Sequence, residues 1–149
     1  MTAPNPPQSS GPVLLFDGEC GLCNRVVRML LRIDADGRLR FAALQSPPAQ
    51  EFLRVHSLPM NDFDTLVFVP DWSRRNDPGV SFFLRTAGAI AALRSCGSAG
   101  RLLAGLLAIF PAALRDAAYR LVARVRHRIF GSWRACPLPR PEWAARFLT

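Results

Sequence analysis

The spacing of apolar positions changes several times along the chain, and each change marks an element. Val13-Leu14-Leu15-Phe16 is a short, wholly apolar run, the pattern of a strand covered on both faces. Asp17-Gly18-Glu19 then turns the chain. From Cys20 to Ile33 the apolar residues fall at Leu22, Val26, Val27, Met29, Leu30 and Ile33, which predicts a helix. Gly37 is suited to stop it. Arg38 to Leu44 begins by alternating and predicts a second strand. Two strands joined by a helix make a βαβ unit, hence a parallel pair with a right-handed crossover.

Pro47-Pro48 opens a second helix, predicted over Ala49–His56 and closed by Pro59. Thr65–Val69 and Val80–Leu84 read as strands joined across a polar turn into an antiparallel hairpin. Thr86 is suited to cap a helix running to Ser95. The order β-α-β-α-β-β-α predicts the α/β class and matches a thioredoxin-like fold.

Beyond it, Leu102–Phe110 and Ala112–Phe130 predict a C-terminal helical extension, followed by a Pro-rich tail. The 13 residues Leu102 to Leu114 contain Gly105 and Pro111 and fall short of the ~18 that cross a membrane. They are expected to form a buried helix, with an interfacial helix as the alternative, because an arginine-rich segment follows. In that segment Leu114, Ala118, Leu121, Val122, Val125 and Ile129 form an apolar stripe, while Arg120, Arg124 and Arg128 lie four apart on another face. The expected organisation is a disordered arm over 1–11 and one domain over 12–149, with its core at 12–97 and the helical extension at 98–149.

Charge sharpens this division. Residues 1–80 hold 8 Arg and 9 acids, a net of −1; residues 81–149 hold 11 Arg against Asp116 and Glu142, a net of +9. All 19 basic residues are arginines, so Schiff-base chemistry and a P-loop lysine are excluded. Arg115, Arg120, Arg124, Arg126, Arg128 and Arg134 make a basic face. It reads as a solvated face or as a contact for an anionic membrane surface or an acidic protein, centred on Arg120, Arg124 and Arg128. No nucleic-acid motif accompanies it. The first residues lack the basic start and apolar run of a signal peptide. A cytoplasmic protein is expected, with the basic face at most peripheral to a membrane, and its thiols stay mostly reduced.

In that setting Cys20-Gly21-Leu22-Cys23 reads as catalytic or metal-binding rather than as a staple. Its position after a buried strand and at the head of a helix within a βαβ unit favours a redox site. A helix's first turn offers unpaired N–H groups and the positive end of the dipole. Both favour thiolate, and such sites lower a cysteine pKa from about 8.5 to between about 3.5 and 7.5. Cys20, expected to be exposed at the helix start, is the candidate attacking thiolate. Cys23, one turn in and expected to be more buried, is the candidate resolving thiol. The substrate would be a protein or small-molecule disulfide or dithiol, with no cofactor beyond the Cys20–Cys23 pair. Asp17 and Glu19 would disfavour the thiolate if close. Asp17 reads either as a proton-transfer group for Cys23 or as a turn residue accepting backbone N–H bonds. Gly18 is expected to supply a backbone conformation that other residues disfavour.

These residues resemble the DCC family of thiol–disulfide oxidoreductase-like proteins, named for an Asp-Cys-Cys motif. Here that motif is Asp17-Gly18-Glu19-Cys20-Gly21-Leu22-Cys23. The likeness continues through Phe41–Gln45, Thr86–Ile90, Pro111–Tyr119, Ile129-Phe130-Gly131 and Cys136-Pro137-Leu138-Pro139, covering residues 12–149. It implies a thioredoxin-like fold and a dithiol site at Cys20 and Cys23. Ordinary thioredoxins face the dithiol with a cis-proline before the third strand. Here Asp64 occupies that position and Pro59 lies five residues earlier, so an acid would sit beside the site.

Cys96 and Cys136 are single cysteines, expected to be small buried hydrophobes; Cys136 could alternatively act as a relay thiol or join a second disulfide. Without a second CxxC they make a poor zinc site. His56 and His127 are expected at the surface or at helix ends, and Trp72, Trp133 and Trp143 as core or partner-facing aromatics. Leu14-Leu15-Phe16-Asp17-Gly18 imitates the nucleophile strand of haloacid-dehalogenase-like phosphatases. That reading fails because Glu19 replaces the second aspartate and no lysine exists. Two readings compete: a redox enzyme, and a non-catalytic module that docks through its arginines.

Overall fold

The computed structural model describes residues 11–34, 37–58, 66–129 and 146–148. Most of the N-terminal arm, Pro59, Asp64, Trp133, Arg134, Cys136 and Trp143 lie outside them, as do the side chains of Arg126, His127 and Ile129. The elements run β1 (Val13–Phe16), α1 (Gly21–Ile33), β2 (Arg40–Ala43), α2 (Pro47–Val55), β3 (Val67–Val69), β4 (Phe83–Leu84), α3 (Arg85–Arg94), α4 (Gly97–Ala108) and α5 (Ala112–Ile129). The strands form one mixed sheet ordered β2-β1-β3-β4. β1 pairs with β2 in parallel, and both β1–β3 and β3–β4 are antiparallel. This is a thioredoxin-like fold.

All four residues of β1 are buried. Its alternation divides the core: Leu14 and Phe16 join one cluster with Val27, Leu30, Phe41 and Ile90, and Val13 and Leu15 join another with Phe52, Leu53 and Val69. A strand covered on both faces cannot keep polar side chains, which is why this run is apolar throughout.

Several boundaries differ from expectation. Pro47 and Pro48 lie inside α2 rather than before it, in the first turn, where missing N–H groups cost nothing. The same helix ends in a Schellman turn. Ser57 adopts φ 56°, its N–H donates to Arg54 O at 3.3 Å and Leu58 N–H donates to Leu53 O at 2.8 Å. β4 is only two residues long, so Val80–Phe82 are not strand. α3 starts directly after it on Arg85 at φ 56°, and Thr86 is not its cap. The Thr86 hydroxyl instead donates to Asp116 Oδ1 at 2.6 Å and ties α3 to α5. Trp72 is core rather than partner-facing: it is buried in a short 3₁₀ turn and its ring lies 5.7 Å from that of Phe52. His56 caps the end of α2 as expected, 4.4 Å from the Phe52 ring, with Nε2 2.6 Å from Arg75 O.

The expectation of a buried helix over Leu102–Leu114 is overturned. α4 buries only Gly100 and Ala104, and Leu102 is 67% exposed. Small residues make the contact because α4 crosses the end of α3 closely: a Cβ on Gly100 would come within 2.1 Å of Leu93 O. The leucines are left facing outward.

A clasp closes the opposite edge of the sheet. Phe147 forms a parallel bridge with Phe41, and Leu148 N–H donates to Phe41 O at 2.8 Å. Arg146 donates from Nε and Nη2 to Leu39 O at 3.1 and 2.8 Å and pairs with Asp34 Oδ2. The same Oδ2 accepts the Leu39 N–H at 2.8 Å. Asp34 is buried and its Oδ1 has no hydrogen-bond partner among the described residues, so Arg146 is the cation that compensates it. Arg146→Ala is expected to cost about 3 kcal/mol in urea unfolding, and removing Asp34 as well should restore part of that loss. A single-variant loss under about 1 kcal/mol would put this pair among ordinary surface pairs.

Candidate functional site

The dithiol segment sits where β1 leaves the sheet. Cys20 has extended backbone angles (φ −91°, ψ 121°) and is the N-cap of α1, whose first helical residue, Gly21, is one later than expected from sequence. Its Sγ accepts the backbone N–H of Cys23 at 3.4 Å. A cysteine thus occupies the place usually taken by Ser, Thr, Asp or Asn, and its sulfur meets the positive end of the helix.

The loop before the helix is held by three polar side chains. Asp17 Oδ1 accepts the Glu19 N–H at 3.0 Å and the Gln45 side-chain amide at 2.8 Å. Gln45 Oε1 in turn accepts the Gly18 N–H at 3.1 Å. From inside α1, Asn24 Nδ2 donates to Gly18 O at 3.0 Å and to Cys20 O at 2.9 Å. Asp17 and Asn24 are buried and Glu19 is exposed. The turn-residue alternative for Asp17 therefore has the Glu19 N–H bond behind it, with a side-chain bond from Gln45 beside it. Gln45 and Asn24 were given no role from sequence. Their signal is positional: Gln45 follows β2, whose end lies beside the end of β1, and Asn24 is one helical turn after Cys20. Gly18 does not have the conformation expected of it, since the positive-φ glycines among the described residues are Gly11, Gly37 and Gly97.

Burial of the two cysteines is the reverse of expectation. Cys20 is 0% exposed, whereas Cys23 is only partly buried. Cys23 lines a small apolar cavity of about 80 Å³ with Phe16, Leu22, Val26, Tyr119 and Val122. Tyr119 brings α5 to this wall, its hydroxyl accepting the Leu66 N–H at 3.0 Å.

Cys96 is a buried thiol, as expected, and its S–H donates to Ala92 O at 3.2 Å. Burial, reinforced by the negative charge of Asp34, pushes its pKa up from 9.0 to about 12. It is no nucleophile at neutral pH.

A model of the DCC1-like thiol-disulfide oxidoreductases matches residues 14–132. The chain belongs to this family. It is 35% identical over 136 residues to the uncharacterized protein YuxK of Bacillus subtilis (strain 168), covering 91% of this chain and 93% of that one. It is 29% identical over 127 residues to a chloroplastic DCC family protein of Arabidopsis thaliana, covering 85% of this chain and 69% of that one. No solved structure matches it. The family is named for thiol–disulfide oxidoreductases, and the matched region contains Asp17, Cys20 and Cys23.

Asn24→Leu should cost about 1–3 kcal/mol in urea unfolding, through buried carbonyls left without a donor. Cys96 should resist iodoacetamide at pH 8 until the protein unfolds. The folded state holds the Cys96 proton up to about 12 while the unfolded chain releases it near 9.0. Its contribution is therefore full below pH 9 and falls as pH rises from 9 toward 12. Cys96→Ala should flatten that part of the stability–pH curve, and an unchanged curve would refute the raised pKa.

Proposed function

We propose that this chain exchanges electrons with disulfides through Cys20 and Cys23, the dithiol itself being the redox group. The reading rests on one contact, the 3.4 Å bond from the Cys23 N–H to Cys20 Sγ at the head of α1. That bond sets Cys20 Sγ against the N–H groups at the head of α1. The two residues are also one turn apart, within reach of a shared disulfide.

Their exposures revise the order of events expected from sequence. Cys20 is fully buried and Cys23 partly open, so Cys23 is the sulfur that a partner meets. Its thiolate attacks a disulfide R–S–S–R′, forming Cys23–S–S–R and releasing R′–S⁻. The Cys20 thiolate then attacks Cys23 Sγ, closing the Cys20–Cys23 disulfide and expelling R–S⁻. Two electrons pass from the dithiol to the partner, whose two thiolates take up protons; a partner dithiol reverses both steps. Asp17 acts as a positioning residue, since Gln45 and the Glu19 N–H already bond to it.

A redox titration in glutathione buffers, with thiols trapped by alkylation, tests the pairing. One two-electron step at Cys20–Cys23, between about −270 and −120 mV, is expected. Trapping then tests the order in a Cys136→Ser background. Cys20→Ser should form a stable mixed disulfide at Cys23 with oxidised glutathione, while Cys23→Ser should react far more slowly. The opposite pattern would return the attack to Cys20. If neither cysteine forms an adduct and no pair titrates, the chain is a docking module rather than an enzyme.

A further inference from the structure

The helical hairpin α4–α5 is the most apolar surface of the described protein. Nine large apolar side chains are exposed on it or at its bend, including Leu102, Leu106, Ile109, Phe110, Leu114 and Leu121, against three elsewhere, Met29, Val55 and Phe83. Ile109, at the bend, is 75% exposed. No single helix among the described residues is long and apolar enough to cross a membrane, and α4 and α5 are bent by 104° where they meet. Such a pair suits lying along an interface better than spanning it.

Charge indicates which interface. At about 100° per residue, Leu114, Ala118, Leu121, Val122 and Val125 fall on one strip of α5; Arg128 borders that strip, Arg124 lies about a quarter-turn from its centre and Arg120 lies nearly opposite. All three arginines are exposed. The one acid of α5, Asp116, accepts from the Thr86 hydroxyl. Beneath the hairpin lies an apolar cleft of about 550 Å³ whose wall includes Leu107, Phe110 and Arg115. Arg115 Nε is buried with no hydrogen-bond partner among the described residues. Exposed apolar side chains, exposed cations on the same helix and a spare donor in an apolar wall together fit the phosphates and acyl chains of an anionic bilayer.

We propose that α4–α5 seats this protein on the surface of anionic phospholipid membranes, with the Ile109–Pro111 bend inserted and the arginines on lipid phosphates. The cleft shares Leu22 and Val26 with the small cavity lined by Cys23, so the seated face lies beside the candidate redox site.

The test is cosedimentation of the full chain with vesicles of phosphatidylcholine, with and without phosphatidylglycerol. Binding is expected to the anionic vesicles and to weaken in high salt. Arg120→Glu/Arg124→Glu/Arg128→Glu should lower the affinity on the order of 100-fold or more. Leu102→Ser/Ile109→Ser should weaken binding at every salt concentration. These sites are exposed, so circular dichroism should match the parent chain, and the Cys20–Cys23 titration should be unchanged. A parent chain that stays in the supernatant overturns the proposal, as do variants that bind equally well. So does a dimer in sedimentation velocity that Leu102→Ser/Ile109→Ser dissolves without vesicle binding in the parent, since the face then meets a second copy. None of these outcomes depends on whether Cys20 and Cys23 exchange electrons.

Discussion

The double burial of β1 constrains everything around it. Its four residues have no face that meets water, so β2 and β3 must pair with its two edges and helices must cover its two sides. A strand enclosed in this way can release the chain to the surface only at its ends. At the carboxyl end the chain leaves through Asp17-Gly18-Glu19 and enters α1 on Cys20. The N-terminal turn of α1 is thereby fixed at the end of a wholly buried strand. Gln45 at the end of β2 can reach Asp17 and Gly18 because the β1–β2 register pairs Phe16 with Ala43.

The pattern of apolar residues carried most of the architecture. β1, the span of α1 and the βαβ crossover all follow from period and composition, because in each case local spacing and tertiary burial ask for the same residues. The errors arise where they do not. Leu102–Leu114 is apolar enough to be core, yet α4 meets α3 through Gly100 and Ala104 and turns its leucines outward. Composition alone does not reveal which face of a helix is covered. Trp72 lies in a polar segment, and only the folded chain brings it against Phe52. Thr86 has the chemistry of a cap, but its hydroxyl is taken by Asp116, 30 residues away.

At the site, the expected placement of Cys20 and Cys23 at the head of α1 is found, but with the exposures reversed. The CxxC spacing and the strand before it put Cys20 at the helix start, as found. Exposure is not a property of that spacing: a cap residue is buried or open according to what packs beyond the loop. The polar frame was harder to read. Asn24 and Gln45 look like ordinary helix and loop residues, and their role comes from the Gly18 and Cys20 carbonyls and the Asp17 carboxyl, which the strand pairing brings within reach.

The electrostatics of this frame bear on the redox direction of the proposed dithiol. A dithiol is strongly oxidising when its reduced form is held as thiolate. The chain has no lysine, and the contact made to Cys20 Sγ is a neutral backbone N–H. Two acids, Asp17 and Glu19, precede the helix; the Asp17 carboxylate bonds to the Glu19 N–H and the Gln45 amide, and Glu19 is exposed. On the proposed reading, a disulfide more oxidising than the Cys20–Cys23 pair takes its electrons and a more reducing dithiol returns them. A reducing dithiol delivers electrons to disulfides, which is the forward direction of the cycle proposed for Cys23 and Cys20.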